Sequence, residues 1–373
     1  MSIKEPLKIF VDAYLLNKEH QGTRTYIKEL YKEFSKRNEK ANIYIGCFKN
    51  AEIVREFGEC KNVHFVYYKQ KNRFLRMLTE IPRIIKSYKF DYAHFQYVIP
   101  FKRNRSTKYI VTIHDILFND FKDQFSSGYR LKRNFLFRYS AKKSDFLCTV
   151  SRYSEERLKN IYELGQKKIY ITPNGVKRDY FTAFDKKEEQ GYIERKYGVK
   201  NYLLYVSRIE PRKNQQALID HFSHLESNIS LVFIGEKTQT AKKLEQKLAA
   251  LNEETRKRVH FFSDLSEKDL ISFLRAAKLF VYPSLAEGFG IPPLEAAATR
   301  IPVLCSNATA MEDFHFFEPY HIDFHQEEQI GDKIKEILSK TDADRLQYIS
   351  SIVKEKYSWA KACETLEMII KDG

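Results

Sequence analysis

The stretch Val281–Glu295, VYPSLAEGFGIPPLE, constrains this chain more than any other. The short apolar run Lys278–Tyr282 (KLFVY) before it reads as the end of a buried strand. Glu287 then precedes Gly288-Phe289-Gly290, and Ile291-Pro292-Pro293-Leu294-Glu295 leads into an alanine-rich, helix-forming run. Proline suits the first helical turn, where its missing N–H needs no partner. The order is therefore strand, glycine loop, helix, the arrangement of an α/β fold. A helix opening after a glycine loop aims free N–H groups and a partial positive charge at whatever sits above it, and phosphate is the natural occupant. Glu287 in the loop and Glu295 in the helix do not suit phosphate. They suit hydroxyls, such as those of a sugar or a ribose. A phosphate seat between two hydroxyl acceptors matches the chemistry of a nucleotide sugar. Taken alone, such glycine turns and helix glutamates occur throughout α/β proteins.

Length allows two domains, since 373 residues exceed what one core organises. Apolar runs fall far short of a membrane span, and MSIKEPLKIFVDAYLL reads as a first strand rather than a signal peptide. The five cysteines (Cys47, Cys60, Cys148, Cys305, Cys363) are scattered, which suits a reduced cytoplasmic protein and no zinc site. The net charge of +15 is uneven: residues 61–150 hold nineteen Lys/Arg against six Asp/Glu. That patch suits an acidic partner: a membrane surface, a nucleic acid or a polyanionic substrate. It also suits a simply solvated face. Two amphipathic basic stretches lie inside it, Asn72–Tyr88, where Pro82 starts or kinks a helix, and Tyr129–Lys143.

Strands are expected at Leu7–Ala13, Ile43–Cys47, Val63–Tyr67, Lys108–Ile113, Phe146–Val150 and Lys168–Thr172. A second series is expected at Tyr202–Val206, Ile229–Gly235, Val259–Phe262, Lys278–Tyr282 and Pro302–Ser306. Helices are expected at about 23–37, 215–225, 240–251 and 266–277, with three more from 326 to the end. The charged segment 177–200 reads as the connection between the two series. Chemistry-bearing residues cluster after strand ends, where open α/β sheets bind ligands. His114-Asp115 follows Lys108–Ile113. Ser207-Arg208 and then Lys213 follow Tyr202–Val206, two cations suited to a diphosphate, with Arg212 an extra cation. Pro173-Asn174-Gly175-Val176 is a tight turn. Asp342-Ala343-Asp344 fits a metal-holding D-x-D spacing but sits in a polar helix start and reads as a cap. No other acidic or histidine cluster has ligand spacing.

The pattern E-G-F-G-I-P-P-L-E resembles the signature of the retaining family-4 glycosyltransferases (glycosyltransferase group 1), which have the GT-B fold. His114-Asp115, P-N-G-V and S-R-x-x-x-x-K-N follow that family's order over most of the chain, closest to its mannosyltransferase-B-like branch. The resemblance implies an α/β GT-B protein, two Rossmann-like domains with parallel sheets facing across a cleft. It implies an acceptor-side domain at 1–176, a linker at 177–200, a nucleotide-sugar domain at 201–357 and a tail helix, 358–373, crossing back. Donor contacts are expected at Gly22, Asn174, Ser207, Arg208, Lys213, Asp264, Leu265, Glu287, Gly288, Phe289, Gly290, Ile291 and Glu295. Catalytic contributions are expected from His114, Glu287, Arg208 and Lys213, and acceptor contacts from Arg24, His114 and Asp115. One departure stands out: in Gln21-Gly22-Thr23-Arg24, Gly22 fits the first of the family's two glycines and Arg24 occupies the place of the second. No covalent nucleophile stands out, which fits front-face displacement with retention. No cofactor or metal is implied.

The branch favours GDP-mannose, or a related deoxysugar donor, over a UDP-sugar, and a lipid-linked or acidic glycan acceptor at the inner membrane face. That places the protein in the cytoplasm, peripheral on an anionic membrane through its basic half. A nucleotide-sugar epimerase of the same fold would turn over donor without acceptor. A nucleic-acid-binding protein would suit the pI of about 9.3 but would not need Glu287 and Glu295 in a phosphate loop.

Overall fold

A computed structural model describes residues 6–17, 22–122, 125–237, 242–326 and 328–373. The chain divides into two compact units, Met1–Gly175 with Trp359–Gly373, and Val176–Ser358.

The first unit is built on a seven-stranded sheet of β1 (Lys8–Asp12), β2 (Asn42–Cys47), β3 (Val63–Tyr67), β4 (Tyr92–Gln96), β5 (Lys108–Thr112), β6 (Phe146–Thr149) and β7 (Ile169–Ile171). Its order is β3-β2-β1-β4-β5-β6-β7, with every pairing parallel. Parallel strands need crossover connections, and helices provide them on the sheet faces. The order reverses between β1 and β4, so the carboxyl ends of these two strands flank a crevice of the kind that binds ligands. β4 is absent from the strands read in the sequence. Its His94 and Gln96 interrupt the apolar run, yet both are buried. His94 is satisfied by the Tyr31 hydroxyl at 2.6 Å and Thr112 Oγ1 at 2.8 Å.

The helix Gly22–Arg37 buries Tyr26, Ile27, Leu30, Tyr31 and Phe34 against this sheet. The last helix, Trp359–Asp372, lies along it. Arg37 and Asn38 both bond Glu367, at 3.1 and 2.8 Å, and Tyr92 donates to the Ile370 carbonyl at 2.8 Å. Of the first loop, Tyr14–Asn17 forms one 3-10 turn, whereas Gln21 lies outside the described residues. In the basic stretch, Asn72 caps a short helix, residues 76–80 form a π-helical turn, and Ile81–Tyr88 continues as α-helix. Pro82 has no N–H to give the preceding turn, and the wider turn before it accommodates that loss.

The second unit carries β8 (Tyr202–Val206), β9 (Ser230–Ile234), β10 (Val259–Phe262), β11 (Leu279–Tyr282), β12 (Val303–Ser306) and β13 (His321–Ile322), all parallel in the order β10-β9-β8-β11-β12-β13. Here the order reverses between β8 and β11. The two-residue β13 was not legible as a strand. The helix expected at 240–251 is described as Lys242–Ala250, with Thr240 and Ala241 outside the described residues.

The segment 177–200 is not a free connection. Its helix Lys186–Tyr197 packs on the helix Glu267–Ala276 within the second unit. Tyr192 donates to Asp269 at 2.7 Å, and Arg275 holds Glu189 at 2.9 Å. Only Ile193 of this helix is fully buried. The contact is made by charged and phenolic groups, so the composition resembles a solvated linker.

Candidate donor site

Both strands at the second unit's switch point end in the chemistry-bearing segments. After β8, Ser207 N–H bonds the Ile234 carbonyl at 3.0 Å. Gly235 lies directly against it: φ is +145° and a Cβ would fall 2.2 Å from the Ser207 carbonyl oxygen, so no other residue fits. The exposed Arg208 follows, 3.8 Å from Glu210. Arg212 is held by the Ala286 carbonyl at 2.7 Å and by Glu210 at 2.5 Å, with Glu287 at 3.4 Å.

After β11 the loop turns Glu287 inward. Its carboxylate accepts from Tyr282 Oη at 2.7 Å, from Ser284 Oγ at 2.8 Å and from the ammonium of Lys213, which also lies 3.1 Å from Tyr282 Oη. Both Lys213 and Glu287 are buried. Burial alone would raise the Glu287 pKa, but Lys213, Arg212 and the Tyr282 hydrogen bond outweigh it and hold it at about 2. Burial pulls the Lys213 ammonium below its ordinary value. Thr309 clamps the glutamate's backbone, accepting from its N–H at 2.8 Å and donating to its carbonyl at 3.0 Å.

Gly290 (φ +97°) caps the helix Ile291–Ala298. A Cβ there would meet Met311 Cγ at 2.9 Å. Phe289 is buried against Phe314 and Tyr357, ring centroids 6.1 and 5.8 Å away. Gly288 and Ile291 are half-buried at the helix entrance. Glu295, half-buried and one turn on, has a different environment from Glu287. Burial pushes its pKa up to about 7, Glu267 adds to that, and Lys177 and a Tyr180 hydrogen bond pull against it. Asp264 (φ +55°) is exposed with Leu265 half-exposed beyond β10, and Ser263 Oγ bonds Asp264 at 3.0 Å.

In the first unit, His114 is buried at the end of β5, its Nε2 2.7 Å from Gln96 Oε1. Burial, with His94 adding, lowers its pKa to about 3, so the ring is neutral and donates from Nε2. Asp115 turns back to accept from Leu117 N–H at 3.2 Å. Asn174 is buried, and its Oδ1 has no partner among the described residues. Gly22 is exposed at the first turn of its helix.

Arg24 does not stand ready for phosphate or acceptor. It is buried, donates to the Leu16 carbonyl at 3.2 Å, and forms a two-pronged pair with Glu56 at 2.9 and 3.1 Å. A buried guanidinium with a partner on each nitrogen is a structural strut. Asp342, of the D-x-D spacing, caps the helix Ala343–Lys356 by accepting from Arg345 N–H at 3.0 Å.

Sequence reasoning missed Tyr282 and Ser284, which complete the shell of Glu287, and Tyr180, which holds Glu295. The first two stand in the same VYPS run and could have been found from their spacing to Glu287. Tyr180 lay in the supposed linker. Also missed is a cluster in space, His315, Glu318 and His321, whose donor atoms lie within 4.8 Å of one another. The expectation that no such cluster has ligand spacing is corrected by it.

Two Rossmann-like units, each on a wholly parallel sheet, are the architecture of the GT-B class of glycosyltransferases. Residues 186–355 match the family of glycosyl transferases group 1, and residues 20–180 match glycosyltransferase family 4. The chain belongs to this group 1/family 4 glycosyltransferase family. It is similar to the O-antigen chain mannosyltransferase RfbU of Salmonella typhimurium, 30% identical over 57% of this chain and 54% of that protein. The chain thus spans about half the length of this relative. It is also similar to O-antigen chain mannosyltransferase B of Escherichia coli, 25% identical over 78% of this chain and 80% of that one. Among solved structures, Anabaena HepE in complex with UDP-glucose superposes with a TM-score of 0.75 at 14% identity, over 98% of this chain and 99% of that one, a likeness of fold. No helix among the described residues is long and apolar enough to cross a membrane.

Proposed function

We propose that this glycosyltransferase moves a sugar, with retention at the anomeric carbon, from a nucleoside-diphosphate donor to a glycan acceptor in surface-polysaccharide synthesis. The observation that carries the reading is the convergence of Arg208, Lys213, the Ile291–Ala298 helix start, Glu287 and Glu295 on the ends of β8 and β11. The reaction must stabilise a departing diphosphate and an oxocarbenium-like sugar. Arg208 and Lys213, aided by N–H groups near Phe289–Ile291, meet the first need. Glu287, ionised at any working pH, accepts sugar hydroxyls, and Glu295 accepts those of the ribose. Ser207, Asp264 and Leu265 border the nucleotide. Neutral His114 serves as a hydrogen-bond partner to sugar or acceptor, with Asp115 on the acceptor side. With no nucleophile in this set, the leaving phosphate takes the acceptor's proton on the same face. No metal is assigned to the donor site.

The names of the relatives favour mannose from GDP-mannose. UDP-glucose in the Anabaena structure keeps a UDP-sugar as the second reading. The acceptor is proposed to be lipid-linked, at an anionic membrane facing the cytoplasm. Phe74, Leu131 and Phe135, 64–75% exposed among basic residues, support that site of action. The test is turnover of GDP-mannose and UDP-glucose by the purified protein with bacterial lipid-linked glycan, with and without EDTA. Sugar transfer from one donor, with the anomeric configuration kept by NMR, supports the reading. Donor isomerisation without acceptor would make it an epimerase.

A further inference from the structure

The segment from Thr309 to Phe317 runs from the end of β12 and holds the site's glycine loop from below: Thr309 bonds Glu287, and Met311 and Phe314 pack on Gly290. From within its last turn onward the chain reads His315-x-x-Glu318-x-x-His321. The three side chains turn to one point. His315 Nδ1 lies 3.7 Å from Glu318 Oε1, and the donor atoms of all three lie within 4.8 Å of one another.

We propose that His315, Glu318 and His321 form a zinc site that fastens the Thr309–Phe317 segment to β13. The donor set is the first reason. Two imidazoles and a carboxylate suit zinc, whereas magnesium and calcium favour oxygen alone. The second is the setting of His321. It sits on a strand, paired in register with Cys305, and its Nε2 lies 2.9 Å from the Met311 carbonyl. A carbonyl only accepts, so Nε2 donates in that bond, and Nδ1 is the nitrogen a metal would take. Histidine ligands are oriented by just such an N–H to carbonyl bond. The third is adjustability. Zinc bonds of about 2.0–2.2 Å place tetrahedral donors roughly 3.4 Å apart, so the cluster must close by about an ångström. His315 and Glu318 are 69% and 67% exposed and can make that movement. Three protein donors leave a fourth position for water. The site lies apart from the donor-binding groups, so the metal acts on them through Thr309, Met311 and Phe314 and takes no part in phosphate binding.

The test uses EDTA-treated, desalted protein titrated with zinc chloride in a non-coordinating buffer, read by calorimetry and by the thermal midpoint. One zinc per chain is expected, with the midpoint rising by several degrees. Affinity should fall roughly tenfold or more in His315→Ala, Glu318→Gln and His321→Ala, and stay unchanged in His64→Ala. His315 and Glu318 are surface residues, so their variants fold even if His321→Ala does not. No saturable binding below about 100 µM zinc, equal binding by wild type and the His315 and Glu318 variants, or the same midpoint shift with magnesium would each overturn the proposal.

Discussion

The Lys213 ammonium is bonded to the Glu287 carboxylate inside the second unit, between the cation assigned to the diphosphate and the acceptor assigned to the sugar. A cation and an anion buried together each make the other tolerable. They also set the position of both without a ligand, so the site is organised before the donor arrives.

Removing one partner is therefore costly to the fold. Lys213→Ala leaves the buried Glu287 with Arg212 as its cation and should destabilise the second unit by about 3–5 kcal/mol. Lys213→Met with Glu287→Gln should recover most of that, because neither group is then charged, while nucleotide binding stays lost. Thermal melts with and without nucleotide separate the two effects.

Gly290 is fixed by backbone and by packing. Gly290→Ala forces a side chain into a left-handed backbone and against Met311. A loss of about 1–3 kcal/mol is expected. Met311→Ala in the same chain should return only the collision part of it, measured by the same melts.

Arg24 tests the opposite expectation. Arg24→Ala breaks the strut to Glu56 and Leu16 and should lower the first unit's stability by about 2–3 kcal/mol. Lys28 still pairs Glu56 at 3.0 Å, which limits the damage. Nucleotide affinity should not change by more than about twofold, because each guanidinium nitrogen already holds a partner elsewhere. Calorimetry on the folded variant checks this.

Glu295 should give the protein a pH dependence near neutrality. Its folded pKa of about 7 lies above its ordinary 4.5, so between these values the folded state holds more protons than the unfolded one. Stability from this group is full below about 4.5 and falls as pH rises through 7. Glu295→Gln should flatten that fall, by about 1–3 kcal/mol between pH 5 and 8. Nucleotide affinity in the wild type should rise over pH 6.5–8 as the carboxylate ionises, and stay level in the glutamine variant.

The sequence was most readable where one residue does one thing. Gly290, Pro292 and the alternation of strand and helix announce themselves, and so do both carboxylates. Reading failed where polar residues are satisfied by distant partners. His94 and Gln96 hid β4 because Tyr31, Thr112 and His114 lie elsewhere in the chain. The helix Lys186–Tyr197 resembled a linker because its partners Asp269 and Arg275 are themselves charged. Arg24 looked available because Glu56 is thirty-two positions away. That the pair Lys213–Glu287 is a single buried unit could not be read from either residue's local sequence.

The central claim is that the ends of β8 and β11 hold a nucleoside diphosphate. Calorimetric titration with GDP and with UDP tests it most directly, in wild type, Arg208→Ala and Glu295→Ala. Both substituted side chains are at least partly exposed, so the variants should fold. Saturable binding of one nucleotide, weakened about tenfold or more in each variant (about 1.4 kcal/mol), is the predicted result. Binding of neither nucleotide by the folded wild type, or equal binding by all three proteins, would contradict it.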